Sequence, residues 1–426
     1  MVEFPYGKTA VRMNLPDEKL RFVVKPHEFM PRSTVKTYEI EECLHNPIGE
    51  GRLSKLTLNR DKVCIIISDY TRAVPNDKLL PPILDELKKA GCPLDNVTII
   101  IANGLHKPAS KSEIGDIVGK TVAEDMKIVN HDAENKDELF YLGKTSYGTG
   151  LWVNRIVAEC SFIIATGLIE PHFFAGYSGG RKSILPGIAG EESIFQNHSF
   201  KMIAHPRARY GILAGNPIHE DMMEAMKMAK LNYIVNVVSK NGRVVKAFAG
   251  DPCKAYEEGI RFVDKLVKVH VPSRAEIVIT TNGGYPLDRD LYQAVKGMAA
   301  AELVVKKGGV IIILSECIDG IGRGHESFYD LMSSAENPDQ VLGRIEKEEP
   351  LKDQWEVQVL ARILKFANVI VVTRNVKHSL IEDMHLIPAS SLEEALSVAY
   401  KLTSKESKII AMPYGPYVIP SLNISS

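Results

Sequence analysis

Cysteine is scarce in this chain: six in 426 residues, at positions 43, 64, 92, 160, 253 and 317, with no Cys-x-x-Cys spacing. No thiolate metal site is indicated, and small buried thiols in a reducing compartment are the expectation. Long apolar runs are also missing. None approaches the roughly 20 residues of a membrane span, and the opening MVEFPYGKTAVRMNLPDEK holds no apolar core of signal-peptide length. A cytoplasmic protein with no membrane partner is expected. Excess charge of either sign is absent. With 52 basic and 53 acidic residues the net charge is -1, so nothing electrostatic points to a nucleic-acid partner. Two nucleotide signatures are lacking as well. The loop around Lys182 does not have the Gly-x-x-x-x-Gly-Lys-[Ser/Thr] spacing, and Gly320-Ile321-Gly322-Arg323-Gly324 is not followed by a convincing dinucleotide helix and reads as a loop.

What is present is a repeating pattern. Apolar runs at 63–69, 97–102 and 161–165 read as buried strands of a parallel sheet, each followed by an exit loop, and the last two of these loops contain glycine. Asn76 or Asp77 is placed to cap a helix running to about residue 90. Residues 219–230 and 253–267 read as helices, 233–238 and 244–248 as a hairpin pair, and 271–273 as a linker. A second α/β series follows: strands at 276–281, 310–314, 369–372 and 408–412, and helices at 288–306, 354–366 and 391–402. Lys306-Lys307-Gly308-Gly309 is expected to end the first of those helices. The fold class is therefore α/β, in two domains that each carry a mostly parallel sheet flanked by helices. The expected division is 1–270 and 271–426, with the C-terminal tail returning to the first domain and the active site in the cleft between them. The first sixty residues, with short strands at 21–24 and 37–40, are assigned to packing against the first domain.

The chemistry concentrates between Thr166 and Lys201, where His172, Lys182 and His198 are spaced at ten and sixteen residues. Strand exits are where open α/β sheets bind ligands. The glycine-rich run Gly176-Tyr177-Ser178-Gly179-Gly180-Arg181-Lys182 offers backbone donors beside two cations, which suits a phosphate cradle. A lysine beside a second positive charge also has a depressed pKa, and its neutral amine can bond covalently to carbonyl-type groups. His106 belongs to the same set of exits. Imidazole handles protons near neutral pH and ligates borderline metals such as nickel and zinc, and two histidines facing opposite sides of one carbon would suit a racemase. Arg72 and Lys296 are candidates for holding a carboxylate. Asp69, at a strand end, is a candidate for orienting a ribose or an arginine. Three readings stay open on these residues: a racemase, a zinc hydrolase with His106, His172 and His198 as ligands, and a non-catalytic binding protein.

Taken together, Ser68-Asp69-Tyr70-Thr71-Arg72, Gly104-Leu105-His106-Lys107-Pro108, Glu170-Pro171-His172 through Lys182, Asn197-His198 and Tyr292-Gln293-Ala294-Val295-Lys296-Gly297 resemble the nickel-dependent lactate racemase family, in order along nearly the whole chain. The resemblance implies interconversion of D- and L-lactate, or of another small 2-hydroxy acid. It implies a nickel-pincer nucleotide cofactor, a pyridinium-3-thioamide-5-thiocarboxylic acid mononucleotide holding Ni(II), and partner proteins that mature it. By similarity, Lys182 would tether that cofactor and His198 would ligate the nickel. His106 and His172 would be the acid/base pair. Asp69, Tyr70, Thr71, Arg72 and Pro186 would contact the cofactor, while Arg72, Tyr292, Gln293 and Lys296 would bind the substrate. Trp355 resembles an aromatic residue near the same cleft.

Overall fold

The computed structural model describes residues 1–27, 38–58, 60, 62–72, 74–240 and 243–422. Two six-stranded sheets organise them. The first runs, edge to edge, Arg243–Gly250, Tyr233–Lys240, Phe162–Leu168, Val63–Ser68, Val97–Ala102 and Lys127–Asn130. Only the Tyr233–Lys240/Arg243–Gly250 hairpin is antiparallel. The second runs Ile387–Ala389, Asn368–Val372, Val305–Leu314, Ala275–Thr281, Ile409–Met412 and Leu20–Val23, all parallel.

Strands covered on both faces explain the unbroken apolar runs, since alternate side chains enter different cores. Val63, Ile65 and Ile67 pack with Leu79, Ile83 and Leu87 of the helix Asn76–Lys89 on one side. Cys64 and Ile66 face a core that runs on without a break to Val278 and Ile311 of the second sheet. Among the described residues no helix is long and apolar enough to cross a membrane.

In the first sheet the chain leaves Val63–Ser68 toward Val97–Ala102 on one side and later returns as Phe162–Leu168 on the other. That reversal is a topological switch point, and it opens a crevice at the carboxyl ends of the two strands. Asn76 secures it. Expected as a cap, it is instead the first helical residue, with Pro75 in the capping position. Its side chain donates to Ser68 O at 3.4 Å and accepts from Thr166 Oγ1 at 2.9 Å, tying the two strand ends together.

Several expectations are corrected. The strand at 21–24 exists as Leu20–Val23, but it pairs with Ile409–Met412. Val2, Phe4 and Leu15 pack with Ile277, Ile279 and Ile312, so the first 27 residues belong with the second sheet and only 38–58 pack against the first. A short strand carries no mark of its partner; burial against a particular sheet decides it. Residues 38–40 open the helix Tyr38–His45 instead of ending a strand, because Ile40, Cys43 and Leu44 share one helical face; Thr37 lies outside the described residues. The helix carrying Lys296 ends at Glu302, and Lys306 to Gly309 lie inside the strand Val305–Leu314. Residue 271 is not linker but the end of the strand Lys268–Val271, which pairs with Ile419–Leu422 near the chain's end. Helices Glu326–Ser333, Pro338–Lys347 and His378–Asp383 had no counterpart in the sequence reading.

Candidate active site

One cavity collects the exits of the first sheet and two helices of the second half. Asp69, Thr71, Arg72, His106, His172, Lys182, Pro186 and His198 line it from one side, and Tyr292, Gln293, Lys296 and Trp355 from the other. Tyr70 is the exception among the expected residues. It is half-exposed and, with Asp77, Glu113 and Asp116, lines an adjoining depression that shares Asp69 and Arg72 with the cavity.

Asp69 follows the strand Val63–Ser68 and is almost wholly buried. Its Oδ1 accepts from Thr71 N at 3.2 Å and Thr71 Oγ1 at 2.7 Å, and its Oδ2 lies 2.6 Å from His106 Nδ1. Burial pushes this carboxyl up, but His106, Thr71 and Arg72 outweigh it and hold the group below the usual carboxylate range. An ionised carboxylate only accepts hydrogen bonds. His106 therefore carries its neutral-state proton on Nδ1, leaving Nε2 with a free lone pair. The His106 loop is fixed to the Lys182 loop through Gly104, which sits at φ +52, a left-handed turn, and donates from N to Gly187 O at 3.0 Å.

Lys182 lies in the 3-10 turn Gly180–Ser183. Its amine makes no hydrogen bond or ion pair among the described residues and sits 5.7 Å from the ring centroid of Phe174. Burial, then the charges of Arg72, Arg181 and Lys296, hold its pKa well below the ordinary lysine value. Of the donors offered for a phosphate cradle, Ser178 N donates to Glu170 O, Gly180 N to Asn236 Oδ1 and Lys182 N to Gly179 O, so those three are engaged within the protein. Arg181 is fully buried away from the cavity, bonded to the Tyr256 hydroxyl and, at 2.7 Å, to Ala175 O.

His172 stands on the small hairpin Pro171–His172/Gly176–Tyr177. Ala175 N donates to its Nδ1 at 3.3 Å, so this ring has the opposite tautomer, with the neutral proton on Nε2. Burial, together with Lys182, Arg72 and Lys296, keeps its pKa well below the ordinary histidine value. The imidazoles of His106 and His172 are thus complementary: one exposes a lone pair at Nε2, the other a proton. His198 follows the helix Glu191–Asn197. Its ring meets Phe174 and Trp355 edge-on at 5.1 and 5.3 Å, and its Nδ1 is buried without a partner among the described residues. Burial and Lys182 bring its pKa down to about 3.

On the opposite wall, Asp290 caps the helix Leu291–Glu302, accepting from Gln293 N at 2.7 Å. Lys296 reaches back one turn to donate to Gln293 Oε1. Arg72 has Glu170 at 3.6 Å. Glu356 is a cavity residue that the sequence reading missed, as are His325 and Asp353. Its signal was available: a glutamate at the start of the helix Gln354–Phe366, among the buried Val357, Val359 and Leu360. Burial raises its carboxyl to about 8 and lowers Lys296 to about 8, a cation and an acid drawn toward the same range. Among the described residues no group of three or more His, Cys, Asp or Glu is arranged to hold a metal ion. The reading of His106, His172 and His198 as zinc ligands is therefore not sustained.

Residues 6–211 match the family model for the lactate racemase N-terminal domain, and residues 271–419 that for the lactate racemase C-terminal domain. The chain is 42% identical over 423 residues to a lactate racemase of Thermoanaerobacterium thermosaccharolyticum, covering 98% of each protein. It is 37% identical over 423 residues to a lactate racemase of Lactiplantibacillus plantarum, covering 98% of this chain and 99% of that one. The solved lactate racemase apoprotein of Thermoanaerobacterium thermosaccharolyticum superposes with a TM-score of 0.94 at 41% identity, over 99% of each chain. A Thermotoga maritima protein, 19% identical with a TM-score of 0.69 over 93% of this chain and 100% of its own, shares the fold. Matched along most of its length by both domain models and by full-length relatives, the chain belongs to the lactate racemase family.

Proposed function

We propose that this protein racemises lactate, with His106 and His172 exchanging the hydroxyl proton on opposite sides of the substrate's C2. The observation that carries the reading is the opposite tautomers of these two histidines in one cavity. Arg72 and Lys296 supply the positive charge for the substrate carboxylate, while Gln293 orients Lys296. His106 takes the proton from an enantiomer whose hydroxyl faces it, and Asp69 stabilises the resulting imidazolium. His172 has no such counter-ion. Protonation at Nδ1 would cost it the Ala175 contact, so its cationic form depends on the anionic substrate offsetting Arg72 and Lys296.

The residues also fit the family's nickel-pincer nucleotide. Lys182 would hold it covalently, through an amine that makes no hydrogen bond or ion pair among the described residues and has a depressed pKa. His198 would give the metal one protein donor, consistent with a buried, unpartnered Nδ1, the remaining donors coming with the cofactor. Asp69, Thr71, Arg72 and Pro186 would bed it from the cavity, and Tyr70 from the adjoining depression that shares Asp69 and Arg72. When bound, the group supplies reversible hydride acceptance, which racemisation at a poorly acidic carbon requires. Such a cofactor implies maturation proteins as partners. We also propose the domain division near residue 270, with the first 27 residues reassigned to the C-terminal body.

The test uses protein matured in cells that make the cofactor. The parent is expected to interconvert D- and L-lactate, carry extra mass on Lys182 and contain nickel. Lys182→Arg is expected to lack both the mass and the activity. His198→Ala is expected to keep the mass but lose nickel. Normal turnover by the arginine variant would exclude the tether, and ligand binding without turnover by correctly matured parent would favour a binding protein.

A further inference from the structure

The glycine-rich loop from Cys317 to His325 is not used by the chemistry above, yet it ends inside the cavity. It wraps the first turn of the helix Leu291–Glu302: Leu291 N donates to Gly320 O and Tyr292 N to Ile321 O, at 3.1 and 2.9 Å. A side chain on Gly322 would meet Tyr292 Cβ and His325 Cβ, both at 3.3 Å, so the loop is drawn closely over that residue. Its last residue, His325, lies flat on the Tyr292 ring, with centroids 3.7 Å apart and planes 8° from parallel. His325 Nδ1 is 2.8 Å from Asp353 Oδ1. Asp353 is 1% exposed, its Oδ2 has no partner among the described residues, and it sits at φ +68, in the left-handed region, at the start of the helix Gln354–Phe366. Two residues on, in the first turn of that helix, Trp355 Nε1 donates to the Tyr292 hydroxyl at 3.1 Å, and Phe328 packs on the ring edge-on at 5.4 Å.

A buried carboxylate whose side chain makes a single hydrogen bond, held in an unfavourable backbone region, needs a reason. Its place at a helix N-terminus favours the negative charge. The carboxylate accepts from His325 Nδ1 and so fixes the plane of the imidazole, which lies against the face of the tyrosine ring. We propose that His325 and Asp353 are positioning residues for Tyr292: the pair clamps the tyrosine ring on the cavity wall and so sets how tightly the 2-hydroxy acid is held, without exchanging a proton with it. This rests on the reading of Tyr292 as a substrate-facing residue. The cavity then contains two histidine–carboxylate pairs with different work. In the pair with Asp69, the faces of the His106 ring make no aromatic contact among the described residues; in the pair with Asp353, a face is covered by the ring it steadies.

Three variants test this. Asp353→Gly removes the carboxylate and relieves the left-handed backbone, so the fold is spared. His325→Ala removes the ring, and His325→Phe keeps a flat ring without the N–H. In matured enzyme, Asp353→Gly and His325→Ala are expected to raise KM for lactate about tenfold with kcat within about twofold, and His325→Phe about threefold. A second readout needs no cofactor. The chain has two tryptophans, and in a Trp152→Phe background the emission of Trp355 reports on the Tyr292 contact; acrylamide quenching of the apoprotein is expected to rise about twofold in the first two variants. Unchanged KM and quenching would overturn the proposal, and so would a collapse of kcat at constant KM, which marks an acid or base. If the parent fails to racemise lactate, the functional reading falls while the quenching experiment still decides the clamp.

Discussion

His106 Nδ1 and Asp69 Oδ2 lie 2.6 Å apart, and that distance decides which nitrogen of the histidine is left free of the carboxylate. The carboxylate accepts from Nδ1–H, so the basic lone pair is at Nε2. In the proposed reaction the same carboxylate would steady the imidazolium once the proton has moved.

Asp69→Asn tests this directly. An amide can donate to Nδ1 and push the proton to Nε2, the wrong tautomer for a base. The expected loss in kcat is roughly 10²–10⁴-fold, the range for removing or misorienting a general base. It is to be measured at equal cofactor occupancy, with circular dichroism to show that the sheets persist. A loss below about threefold would mean that the pairing is structural.

The alkaline limb of the pH profile should belong to Lys296. Its pKa is brought down to about 8 by burial and by Arg72, and Glu356 acts in the opposite direction. As pH rises through that value the ammonium is lost and the substrate carboxylate loses a counter-ion, so KM should increase above about pH 8. In Glu356→Gln the carboxylate that supports the charge is gone, and the limb is expected to move to lower pH. A KM that stays flat into the alkaline range, or a limb that moves upward in the variant, would contradict this assignment.

Arg72→Lys keeps the charge and removes the planar fork. A charge-assisted hydrogen bond contributes about 1.5–3 kcal/mol, so KM should rise roughly tenfold to a hundredfold with a smaller effect on kcat. Steady-state kinetics in both directions provide the check. Equal effects for D- and L-lactate are expected, because a carboxylate anchor serves both enantiomers.

Arg181 is predicted to matter for stability and not for chemistry. Its guanidinium is fully buried between Tyr256, Ala175 and Gly179. Arg181→Met keeps most of the volume but leaves Ala175 O without that donor, and should destabilise the apoprotein by about 2–4 kcal/mol. Urea unfolding measures this; a midpoint within error of the parent would show that the staple contributes nothing.

Much of this protein was legible along the chain, for physical reasons. A strand buried on both faces must be apolar throughout, so Val63–Ser68, Val97–Ala102 and the strand from Phe162 could be recognised without coordinates. Ligand sites of parallel sheets lie at strand exits, so His106, His172 and Lys182 could be singled out by where they follow those runs. Long-range matters were not written locally. Whether Leu20–Val23 joins the first or the second sheet depends on which edge is free, and its four residues do not encode that. The tautomers of His106 and His172 depend on single atoms of Asp69 and Ala175 placed by other segments. Arg181 and Lys182 are neighbours of like charge, yet one is buried as a staple and one opens into the cavity, because a 3-10 turn points successive side chains apart. Composition and periodicity determined the layers and the edge at which chemistry gathers. Tertiary structure alone decided which polar atoms face each other there, since hydrogen bonds and buried charges depend on distances that no spacing in a sequence records.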